Sequence, residues 1–190
     1  ATEQIGGQRA AAVLGAVSVE MVPGQLSDHY DPSANVLRLS EPVYGSDSIA
    51  ALGVAAHETG HAIQQATGYG GTALRTALVP AAQLGSNLAF PLFFIGLIFS
   101  APHGGGLRFL MDLGILLYCA AVAFTLITLP VEYDASRRAM VLLREGGYVS
   151  AQELQGVRRV LGAAAMTYVA AVAMAVLTLA RLLILRSSRD

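Results

Sequence analysis

Of 190 residues, 54% are apolar and only 13% carry charge, against roughly 25% charged in an average soluble domain. The apolar surplus excludes a disordered chain, and a formal net charge of −1 excludes a strongly basic nucleic-acid binder. A single cysteine, Cys119, excludes an internal disulfide framework and a zinc cluster built from the thiolates of one chain.

In chain order, residues 1–10 are polar, without a secretory signal, and read as a trimmed start. Residues 8–17 are alanine-rich and read as a helix. Two short β-branched or alternating stretches follow, 19–22 and 36–39, each flanked by turn residues. Between them, Asp31-Pro32-Ser33-Ala34-Asn35 is a strong turn signal, because Pro fixes φ and Asp and Asn bond to nearby backbone. Leu37-Arg38-Leu39 is accordingly expected as an exposed strand. A helix over about 47–66 comes next, capped by Ser46 or Ser48 and ended by Gly68.

Three runs without Asp, Glu or Arg follow, at 76–102, 113–131 and 160–180, and the chain contains no lysine. Each is close to the ~20 residues an α-helix needs to cross the hydrocarbon core. So short a chain leaves little polypeptide to cover three such helices, which points to a bilayer. Pro80, Pro91 and Gly96 are tolerable in lipid where neighbouring helices satisfy the freed backbone. A glycine-rich loop, 101–107, joins the first two passes. Asp112 is expected near the interface beside Arg108, and Cys119 as a small buried hydrophobe. Pro130 is expected to open a second surface helix that Gly146-Gly147 closes. A short helix near 150–159, with Ser150 and Glu153 at capping-box spacing, leads into the third pass. Arg181 there fits a snorkelling charge near a helix end.

The first surface helix contains His57-Glu58-Thr59-Gly60-His61. At ~3.6 residues per turn, positions i and i+4 lie about 40° apart, so both imidazoles face one point. Neutral imidazoles at that spacing suit Zn²⁺, and Glu58 between them can reach a water there. The ordinary alternative is a pair of exposed histidines with a polar neighbour. The mid-helix setting is the one the motif demands.

A catalytic zinc needs a third protein ligand and an open position. His103 falls after one pass, on the opposite membrane face. His29 shares the face of His57 but sits in a turn-rich stretch, where a solvated histidine is the commoner explanation. The better candidate is a carboxylate in Leu129-Pro130-Val131-Glu132-Tyr133-Asp134-Ala135-Ser136-Arg137-Arg138, because two passes return Glu132 to the starting face. Taken alone, Glu132 also suits a helix N-terminus, where the dipole stabilises an acid.

The run from Ala56 to Gln64, Asp28-His29-Tyr30-Asp31-Pro32 and the run from Leu129 to Ala139 resemble the YugP-type bacterial membrane zinc metallopeptidases. The similarity extends from about residue 20 to the C-terminus, and members of that family begin with one more hydrophobic helix. The family is similar to the wider gluzincin group, which includes the HtpX-type membrane proteases. There a glutamate opening a second helix is the third zinc ligand, and an aspartate four residues later steadies the first histidine. The resemblance thus implies Glu132 as ligand. Ser136 stands where the aspartate would be, which leaves Asp134 or Ser136 as the supporting partner.

The expected fold class is mainly α: a polytopic membrane protein with three transmembrane helices and a small α+β zinc-metallopeptidase-like surface domain. Residues 1–73 form a surface segment with the HExxH helix, 74–129 a transmembrane hairpin, 130–159 a second surface helix completing the site, and 160–190 the third pass and basic tail. The expected function is a zinc-dependent endopeptidase with Zn²⁺ on His57, His61 and Glu132. Glu58 takes a proton from water and returns one to the leaving amine. Tyr30, His29, Tyr133, Arg137 and Arg138 are candidate oxyanion donors, and the strand at 36–39 could hold an extended substrate by edge addition. The rival is a non-catalytic membrane scaffold whose structural zinc takes a fourth ligand from Asp134 or His29. Glu58 discriminates, because a structural site has no need of it. Expected partners are a peptide or protein substrate, membrane proteins included, and the lipid bilayer. An oligomer or a regulatory membrane partner stays open, and nucleic acid is excluded. The expected location is the bacterial cell membrane. Six arginines near the membrane ends on the catalytic side oppose four on the other, which tilts the site toward the cytoplasm.

Overall fold

The computed structural model describes residues 17–100 and 106–188. The helix expected over 8–17 therefore lies, Val17 apart, outside the described residues, as does His103. The elements are β1 (Ser18–Val22), β2 (His29–Asp31), β3 (Val36–Ser40), α1 (Glu41–Tyr44), α2 (Ile49–Ala66), α3 (Gly70–Phe99), α4 (Arg108–Glu145) and α5 (Ala151–Ser187). They fall into two compact units. One takes residues 1–72 and 131–166, the other 73–130 and 167–190.

In the first unit the sheet order is β1-β3-β2, with β3 parallel to β1 and antiparallel to β2. The strand expected to be exposed is thus the central one. Val36, Leu37 and Leu39 are buried, and the adjacent apolar residues at 36 and 37 belong to opposite faces of the strand. Arg38 is compatible with that place because it reaches both neighbours, pairing with Glu20 at 3.4 Å on β1 and with Asp31 on β2. Asp31 also closes the expected turn, accepting from the Ser33 and Ala34 N–H groups at 2.9 and 3.2 Å.

Ser48 caps α2, accepting from the Ala51 N–H at 3.1 Å. The inner face of α2 packs Ala56 against Ala139 and Leu143 of α4 and Val157 and Leu161 of α5. Gly60 sets the approach of α2 to α4: a Cβ there would stand 2.3 Å from the Ala135 carbonyl oxygen. Backbone cannot yield as a flexible side chain can, so Gly60→Ala is expected to destabilise this unit toward the upper end of about 1–3 kcal/mol. Thermal unfolding of the purified variant checks this, with a midpoint clearly below that of the parent. An unchanged midpoint contradicts the close approach.

Pro130 does not open a helix. It lies inside the continuous α4, whose apolar half runs without a break into the half that carries Glu132. An interior proline costs about 3 kcal/mol or more in a water-exposed helix, but membrane helices tolerate it. The separate helix expected before the third pass is likewise the start of one element, α5. Its capping box is present: the Ser150 N–H donates to Glu153 at 2.8 Å and the Glu153 N–H to Ser150 Oγ at 3.3 Å.

The second unit comprises most of α3, the first part of α4 and the later part of α5. These three helices are long and apolar enough to cross a membrane. Phe93, Met111 and Leu182 form its buried centre. Gly85 permits close helix contact, since a Cβ there would lie 2.3 Å from the Leu117 carbonyl oxygen. Met174, Val176, Leu177 and Ile184 of α5 are exposed among the described residues, as lipid-facing residues are. The charge of Arg108 acts on Asp112, as expected, and Asp112 also pairs with Arg186 at 2.8 Å. Cys119 is exposed on the surface of the second pass rather than buried.

Candidate metal centre

His57 and His61, one turn apart on α2, both face Glu132, two residues into the polar half of α4. His57 Nε2 lies 3.1 Å and His61 Nε2 3.4 Å from the same oxygen, Glu132 Oε2. The rings stand edge to face with centroids 4.8 Å apart. One ligand atom from each residue falls within 4.8 Å of the others. Two imidazole nitrogens and a carboxylate oxygen converging in this way fit a zinc ion. Glu132 is 2% exposed, while the two histidine side chains keep 14% and 15% exposure. The carboxylate therefore comes from the protein side and the histidines retain access to solvent.

The remaining ring nitrogens are also engaged. His57 Nδ1 lies 3.1 Å from Ser136 Oγ, and His61 Nδ1 lies 3.0 Å from Gln64 Oε1. Of the two partners that the sequence left open, Ser136 is the one touching a histidine. Asp134 instead accepts from Gln64 Nε2 at 3.0 Å, from Arg137 at 2.7 Å and from Arg138 at 2.5 Å. Gln64 is a site residue that the sequence reading passed over. Its only signal was its position three residues after His61, on the same helix face.

Glu58 is buried in α2 and accepts a hydrogen bond from the Tyr30 N–H at 3.1 Å. Burial pushes its carboxyl above the usual range, against the opposing pull of His61 and His57. For His61, burial favours the neutral ring, but the Glu132 carboxylate outweighs it and raises the pKa. The Glu132 carboxylate thus favours positive charge beside it, at His61.

The other candidates are placed as follows. His29 is exposed, and its Nδ1 lies 2.7 Å from the Ser27 carbonyl oxygen. The Tyr30 hydroxyl donates to Asn35 Oδ1 at 2.7 Å, so its backbone N–H, not its side chain, contacts the centre. Tyr133 is 47% exposed. Arg137 and Arg138 are engaged with Asp134, and Arg138 also donates to Thr67 Oγ1 at 3.1 Å. Among the described residues, the cluster of possible metal ligands contains His57, His61 and Glu132, with neither Asp134 nor His29.

The family described as "Putative neutral zinc metallopeptidase" matches residues 8–187. The sequence is 47% identical over 175 residues to the "Putative membrane protease YugP" of Bacillus subtilis (strain 168), an alignment covering 92% of this chain and 75% of the relative. No solved structure matches.

Proposed function

Since this chain belongs to the family described as "Putative neutral zinc metallopeptidase", we propose that it is a membrane-embedded endopeptidase in which His57, His61 and Glu132 hold the zinc. The observation that carries this reading is the convergence of both Nε2 atoms on one Glu132 oxygen, with a buried carboxyl, Glu58, beside them. Zinc, when bound, supplies Lewis acidity toward a water and a carbonyl group. Glu58 is the general base. It is buried beside the proposed ligands, and the Tyr30 N–H holds its oxygen in place. The proton taken by Glu58 then goes to the leaving amine. The absence of Asp134 and His29 from the ligand cluster favours a three-ligand catalytic centre over a closed structural one. An extended peptide is best accommodated along β2, an edge strand of the sheet whose Tyr30 contacts Glu58.

The test is product analysis after incubating the purified, zinc-loaded protein with an unstructured polypeptide such as casein. Internal fragments are expected. Release of terminal residues alone would make it an exopeptidase, and intact substrate would remove the enzyme reading.

The three apolar helices and the Bacillus subtilis membrane-protease relative support a bacterial cell membrane location, and the balance of arginines near the membrane ends supports a site on the cytoplasmic face. A cysteine at the exposed Glu145, with Cys119→Ala, is expected to escape an impermeant thiol reagent in intact cells and to label after lysis. Labelling without lysis reverses the orientation.

A further inference from the structure

Gln64 is fully buried, at 0% exposure, and each end of its amide has a different kind of neighbour. On one side Nε2 lies 2.8 Å from the Val131 carbonyl oxygen and 3.0 Å from Asp134 Oδ2. A carbonyl cannot donate. The Asp134 carboxylate is committed to accepting by the Arg137 and Arg138 guanidiniums. Only the two N–H groups of the amide satisfy both acceptors, so the orientation of the Gln64 side chain is forced. Oε1 then faces His61 Nδ1 at 3.0 Å. An amide oxygen cannot donate either, so Nδ1 carries the proton, and in the neutral ring the lone pair lies on Nε2, the nitrogen that faces Glu132. His57 has no such constraint, because its partner, the Ser136 hydroxyl, can donate or accept.

We infer that Gln64, oriented by Asp134, is a positioning residue that presets the metal-binding tautomer of His61. This rests on the zinc site proposed above. The anchor reaches further: Arg138 bonds Thr67 Oγ1 and lies over the Tyr69 ring, 5.6 Å from its centroid. The segment after α2 thereby braces Asp134, Asp134 braces Gln64, and Gln64 fixes the ring of the second histidine. Partners of this kind typically change metal affinity by about 10–100-fold when removed.

The experiment is zinc affinity by chelator competition on the full purified chain, for Gln64→Met, Gln64→Glu, and Gln64→Glu combined with Asp134→Asn. Gln64→Met keeps the volume but loses every hydrogen bond, and is expected to weaken binding by about 10–100-fold. Gln64→Glu sets a carboxylate against Asp134. Adding Asp134→Asn removes that repulsion between carboxylates, and the double variant is expected to bind zinc about tenfold or more tightly than Gln64→Glu alone. A general loss of packing would not be reversed by that second substitution. Parent-like affinity of Gln64→Met, or equal affinity of the single and double variants, overturns the inference. If Gln64→Met does not fold, the single-to-double comparison decides. His61→Ala is the control for the underlying reading: if it too leaves zinc binding intact, the metal site is misassigned and the failure lies there.

Discussion

Glu58→Gln is expected to retain zinc while losing about 10²–10⁴-fold in peptide cleavage, the range that general-base catalysis supplies. The substitution is nearly isosteric, and its amide oxygen can still accept from the Tyr30 N–H that holds Glu58 at 3.1 Å. It also removes a carboxyl whose ionisation burial opposes, so no loss of folding is expected. What disappears is the ability to take up a proton. Metal content and cleavage rate measured on the same preparation check the prediction. Equal cleavage by variant and parent removes Glu58 from the mechanism.

The second large effect concerns the ligands. His57→Ala, His61→Ala and Glu132→Ala are each expected to weaken zinc binding by more than the roughly 100-fold upper range of outer partners, since each removes one of three converging atoms. His29→Ala should leave affinity unchanged, because its Nδ1 lies against Ser27 and it is outside the cluster. Competition with a chelator of known affinity measures all four. Should Asp134→Ala abolish binding while Glu132→Ala does not, the third-ligand role moves to Asp134.

The difference between Glu132 and Gln64 shows what a sequence exposes at this site. The i, i+4 pair of His57 and His61 is local, and helix geometry alone brings the rings together. Glu132 is 75 residues from His57, yet counting membrane passes returned it to the same face, and a family resemblance pointed to it. Gln64 has its acceptors 67 and 70 residues away, on Val131 and Asp134. Nothing in the spacing marks an amide as buried between two acceptors, so its place emerges only with the packing of α2 on α4.

The fold followed a similar division. The three long uncharged runs announced the apolar helices, because length and charge decide that question. Strand order was not accessible in the same way. Leu37-Arg38-Leu39 was expected to be exposed because a strong turn signal precedes it, but the strand lies between two others, and Glu20 and Asp31 on those flanking strands meet the Arg38 charge. Pro130 looked like a helix start because proline favours the first turn, although α4 carries it in mid-helix. Cys119 looked buried by residue type, whereas in a bilayer a small apolar side chain can equally face lipid.

The most direct test of the central claim is a zinc titration of the metal-stripped, purified chain with peptide cleavage as the readout. Cleavage should be absent at the start, rise in proportion to added zinc and level off at about one equivalent, as a single three-ligand site requires. Cleavage by the stripped protein, or none after reloading, would contradict the account.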